Sequence, residues 1–88
     1  MTKTLTNHPY AQCRIIITDN SIACKSYNTI VATIENGWLV INGLYSATTR
    51  KHIGEFVREY ANITYQIAKR LYADGFKYNI YTGELCPV

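Results

Sequence analysis

The sequence predicts an α+β domain in which an antiparallel sheet of about four to five strands packs on one long amphipathic helix, in the order β-β-β-β-α-β. Three observations carry that expectation. Two β-rich segments between Thr29 and Gly43 flank Asn36-Gly37, the dipeptide that best tolerates positive φ at both centres of a tight hairpin turn. An apolar stripe at helical spacing runs from Ile53 to Leu71. Hydrophobic residues make up 48% of the 88-residue chain against 17% charged, the composition of a packed domain rather than a disordered one. A chain this short has room for a single core.

In chain order, residues 1–12 are polar, aperiodic and contain Pro9, and read as a loose N-terminal arm; residues 13–88 form the single α+β domain. Cys13 to Thr18 is β-branched, Asp19-Asn20-Ser21 supplies turn chemistry, and Ile22 to Tyr27 returns as its hairpin partner. In the second hairpin the two-residue loop fixes the register. Glu35 faces Trp38, Ile34 faces Leu39, Thr33 faces Val40, Ala32 faces Ile41 and Val31 faces Asn42. That register assigns Ile30, Ala32, Ile34, Leu39 and Ile41 to the core, and Val31, Thr33, Trp38 and Val40 to the opposite face.

Thr48 to Ala73 reads as one helix of about 26 residues, about 39 Å long. Ile53, Phe56, Val57, Tyr60, Ile63, Thr64, Ile67, Ala68 and Leu71 share one face, and the phase does not slip at Asn62. Such a stripe outruns a strand of six or seven residues, so a second copy of the chain is expected over its C-terminal half; the alternative is a break near Asn62 that folds the second half back. Asp74-Gly75 ends the helix, Phe76 to Tyr81 alternates as a last strand, and Thr82-Gly83 turns into a short tail.

Nine Lys and Arg against six Asp and Glu give a formal charge of +3, too mild and scattered for a strong nucleic-acid signal and too basic for a mimic of nucleic acid. Cys13, Cys24 and Cys86 form no Cys-x-x-Cys pair and match no zinc spacing. Their odd number, with no secretory pattern at the start, argues for buried or half-buried thiols and for a reducing compartment, the cytoplasm. No apolar run approaches membrane-spanning length. No phosphate loop, nucleophile elbow or His-Glu-x-x-His is present, so neither catalysis nor a metal or other cofactor is expected.

Two sets of residues are candidates for binding. The first is a protein-binding patch of Trp38, Val40 and Val31 on the outer face of the hairpin, with Tyr27, Asn28 and Tyr45 beside it. Eight tyrosines and a tryptophan exceed what so small a core can bury, and such side chains favour interfaces. The second is an anion or nucleic-acid site. Thr48, Thr49, Arg50, Lys51 and His52 bring hydroxyls, free N–H groups and cations to a helix start, although the basic side chains can equally bend into water. Farther along, Lys51, Arg58, Tyr65 and Lys69 form a basic and aromatic stripe that Glu55 and Glu59 dilute.

Ser26-Tyr27-Asn28-Thr29-Ile30-Val31-Ala32, followed by Tyr45-Ser46-Ala47-Thr48-Thr49-Arg50-Lys51-His52-Ile53, resembles the SYxTxVA…YSxTTxKHI pattern of short uncharacterised proteins from bacteriophages and mobile elements of gut Firmicutes. The resemblance spans residues 26–57 and implies a context rather than a chemistry. Phage accessory proteins of this size often inhibit or modulate a host machine by stoichiometric binding, anti-CRISPR and other counter-defence proteins among them. The resemblance thus implies a host protein or ribonucleoprotein as partner; a nucleic-acid-binding regulatory module is the alternative.

Overall fold

A computed structural model describes the whole chain, Met1–Val88. Seven strands form one antiparallel sheet in sequential order: β1 (Thr2–Lys3), β2 (Cys13–Ile17), β3 (Ser21–Ser26), β4 (Thr29–Glu35), β5 (Trp38–Ile41), β6 (Phe76–Asn79) and β7 (Leu85–Pro87). Between β5 and β6 lie two helices, α1 (Ala47–Ala61) and α2 (Tyr65–Asp74), packed against β3 to β6. The α+β class and the antiparallel sheet are as expected. The strand count is higher, and the single long helix is two.

The hairpin register agrees pair for pair from Ala32↔Ile41 to Glu35↔Trp38, with positive φ at both Asn36 and Gly37. Inside that strand the assignment of faces fails at one point. Between Cys24 and Lys25 the β3–β4 ladder shifts, so that Lys25 pairs with Ile30 and Cys24 with Ala32. Val31 is the extra residue of this bulge, which turns it inward beside Ala32. Val31 is fully buried and Ile30, opposite Lys25, faces outward, the reverse of the expected alternation.

The helical stripe breaks at Asn62, which ends α1 in the left-handed conformation (φ 57°, ψ 38°). Asn pays less than most residues for that conformation. Thr64 then restarts the chain as α2, its side chain accepting from the Ile67 N–H. The apolar phase is continuous across the break because the second helix returns to the same core. Ile53, Phe56, Val57, Ala68 and Leu71 are all buried, whereas Ile67 is 45% exposed. With α2 folded against α1, β5 and β6, the overhang that called for a second copy is gone.

The first twelve residues are docked rather than loose. β1 pairs with β2, and Leu5 is fully buried in the core. The arm then runs along α1: the Thr6 N–H and hydroxyl donate to Glu59 at 2.8 and 3.0 Å, His8 Nε2 lies 3.6 Å from Glu55, and the Tyr10 ring sits 4.8 Å from that of His52. Two arm residues match one helical turn, as an extended segment beside a helix should.

The helices cover one sheet face, where Cys13, Ile15, Cys24, Ala32, Ile34, Leu39 and Ile41 form the core. Cys13 and Cys24 are free and buried there, and Cys86 is half-buried. On the other face a register row runs through Ile16, Ala23, Thr33 and Val40, all half-buried. No helix is long and apolar enough to cross a membrane.

Candidate functional site

The helix start turns the Thr49 hydroxyl and the His52 imidazole away from any ligand. Ser46 caps α1, its Oγ accepting from the Thr49 N–H at 3.2 Å. Thr49 and His52 turn inward, 4% and 1% exposed. Their partner is Ser26, at the end of β3, whose Oγ lies 2.9 Å from Thr49 Oγ1 and 2.8 Å from His52 Nδ1. Burial holds the imidazole pKa below its ordinary value, so His52 is a neutral core group and not a cation. Thr49 and His52 therefore clamp α1 to the sheet, and the expected anion seat at the helix N-terminus is dismantled. Thr48 remains exposed without joining a site.

The outer patch divides as well. Val31 is in the core. Trp38 and Val40 are half-buried on the uncovered sheet face, with the Lys77 ammonium 4.8 Å from the Trp38 ring centroid. Tyr27, Asn28 and Tyr45 lie elsewhere, in the segments that flank the Ser26 clamp. Tyr27 and Tyr45 are 50% and 59% exposed and both hold positive φ, 55° and 45°. Bulky residues in that region of backbone space carry strain.

Three of the expected cations do converge with an expected aromatic. The solvent face of α1 is the floor of a cleft of about 330 Å³, carrying Arg50, Lys51, Gly54, Glu55 and Arg58 within one helical arc. Tyr65, the first residue of α2, forms one wall; it packs so closely that a Cβ on Gly54 would lie 3.3 Å from its own Cβ. Tyr10, on the docked arm, lines the other side. Arg50 and Lys51 are exposed, and the Arg58 side chain is 68% exposed. Glu55 is only 18% exposed, with His8 Nε2 and Arg58 Nη1 at 3.6 and 3.8 Å from its Oε1. Lys69 is exposed on α2 but does not line the cleft, because the break at Asn62 turns the second half of the stripe away.

Tyr10 and Glu55 are the site residues that sequence reading missed. Tyr10 lies in a stretch without periodicity, and no local signal says that it docks. Glu55 was visible, but only as a charge diluting its neighbours. The cleft, from Tyr10 to Tyr65, falls wholly within residues 2–73, which match the model of a family of unknown function, DUF8033. The chain belongs to DUF8033. No curated protein and no solved structure matches it. What the match adds is extent: in this DUF8033 chain the arm, both hairpins, α1 and nearly all of α2 lie inside the matched span, and β6 and β7 lie beyond it.

Proposed function

We propose that this DUF8033 chain is a small binding protein, acting by stoichiometric contact and not by catalysis. Its cleft engages the phosphate backbone of a single-stranded nucleic acid, free or displayed on a ribonucleoprotein. The observation that carries this reading is the convergence of Arg50, Lys51 and Arg58 with two tyrosines in one groove. Exposed cations supply the phosphate contacts and aromatic faces supply sequence-tolerant stacking, the two ingredients of single-strand binding. In the phage setting that the resemblance implies, such contact would inhibit or modulate a host nucleic-acid machine, a CRISPR effector among them.

Fluorescence anisotropy with labelled single-stranded oligonucleotides tests it. Three neutralised phosphates on a single strand predict a log–log salt slope near about −2, and so a loss of affinity of about twenty-fold between about 50 and 200 mM salt. Arg58→Ala should reduce the slope by about 0.7. Absence of binding, or binding indifferent to salt, would overturn the proposal.

A second reading, protein binding through Tyr27, Asn28 and Tyr45, is favoured by the positive φ of the two exposed tyrosines, since strain of this kind gathers at functional surfaces. Its test is whether Tyr27→Ala and Tyr45→Ala abolish capture of a ribonucleoprotein that the Arg58→Ala protein still captures.

A further inference from the structure

Glu55 is the one carboxylate on the floor of a cleft that otherwise presents cations, and it opposes the field that a phosphate would seek. Its surroundings differ from those of Glu59, one turn on, whose two carboxylate oxygens both take hydrogen bonds from Thr6. Glu55 has only two long contacts, from His8 Nε2 and Arg58 Nη1 to Oε1 at 3.6 and 3.8 Å, although its side chain is just 18% exposed. With one oxygen in two long contacts and the other in none, the carboxylate keeps hydrogen-bonding capacity for a donor that enters the cleft.

Resting on the nucleic-acid reading of the cleft, we infer that Glu55 selects guanine. Among the bases, guanine alone presents two adjacent donors on its Watson–Crick edge, the N1–H and the 2-amino group, and these match the two oxygens of a carboxylate. Adenine and cytosine set a ring-nitrogen lone pair beside their amino group, and uracil flanks its single N–H with two carbonyls. Each of those edges turns a lone pair toward the carboxylate. Tyr65 supplies the face on which the base stacks, since the Tyr10 ring is already stacked by His8 and packed on His52, while Arg50, Lys51 and Arg58 hold the flanking phosphates.

The experiment is anisotropy on labelled uridine pentanucleotides whose central base is guanine, hypoxanthine, adenine or cytosine. A bidentate contact predicts that the guanine strand binds about ten-fold more tightly than the adenine or cytosine strands. The hypoxanthine strand, which keeps N1–H and lacks the amino group, should fall between. Glu55→Gln should level the four affinities without weakening the adenine strand, because it removes a negative charge from the groove. Competition by GTP as strong as that of the guanine strand would assign the site to a free guanine nucleotide; weaker competition assigns it to a strand. Equal binding of all four strands by the unaltered protein, or a guanine preference that survives Glu55→Gln, overturns this inference and leaves the cleft as a plain phosphate binder. Failure to bind any strand overturns both readings together.

Discussion

Ser26 ends β3 where the chain turns toward β4, and its hydroxyl bridges Thr49 and His52 across the join between sheet and helix. These three residues lie within the span that matches the family. Their role in the fold is a buried clamp. Two aromatic rings lie against the imidazole, Tyr10 at 4.8 Å and Tyr27 at 6.1 Å. An imidazole held neutral by burial loses its proton more readily in the fold than in the unfolded chain. Below the ordinary value of 6.5 the unfolded state is the better proton binder, so stability is complete above that pH and falls as the medium is acidified. The midpoint of urea unfolding should therefore be lower at about pH 5.5 than at about pH 7.5, and His52→Gln should narrow the difference. A midpoint unchanged between the two would show that His52 does not contribute in this way. Tyr60 is a second residue of this kind: its hydroxyl is buried without a partner, and burial foremost pushes its pKa up to about 12.

At the scale of elements, the break between α1 and α2 decides where Tyr65 stands, and so whether the cleft exists. The cap at Asn62 needs a residue that accepts a left-handed backbone. Replacing Asn62 by Gly should leave stability nearly unchanged, whereas Asn62→Val should cost about 1–2 kcal/mol. Thermal unfolding of the two variants checks this. Equal stability of both would argue for a continuous helix through Asn62. The β3–β4 bulge is the other element that departs from its local pattern. One inserted residue exchanges the faces of Ile30 and Val31, and every side chain on the hairpin side of the shift keeps its expected direction.

For the whole molecule, the sheet is a meander whose neighbours follow chain order, interrupted only by the two helices between β5 and β6. The two termini thus lie at opposite sheet edges, and their packing differs. Leu5 is 1% exposed in the core near the first edge, and Leu85 is 55% exposed on the last strand. Leu5→Ala should cost about 2–5 kcal/mol, a large share of the about 4–13 kcal/mol expected of an 88-residue domain. Leu85→Ala should stay within about 0.5 kcal/mol. Chemical denaturation of the pair measures the contrast, and a Leu5→Ala protein as stable as the parent would mean that the arm is not docked. A loose arm would also remove Tyr10 from the cleft, so the same variant should weaken binding.

Local chemistry determined much of this protein. The hairpin register follows from Asn36-Gly37, the helical faces from apolar spacing, and the helix end from Gly75, because turns, caps and periodicity act over a few residues. Asn62 and Thr64 also carried their cap chemistry in plain view. An apolar phase that is continuous through both cannot tell one straight helix from two that share a core, so only packing against β5 and β6 decided between them. The same holds for the bulge, for the arm along α1, and for the site. Thr49 and His52 look like ligands until Ser26, more than twenty residues earlier in the chain, occupies them. Lys51, Arg58 and Tyr65 read as a basic and aromatic stripe running on to Lys69, and Arg50 as part of the helix start; only the closing of the arm and α2 gathers these four into a cleft and leaves Lys69 out. Contacts between segments far apart in the chain leave no periodic trace in the sequence, and they made the cleft.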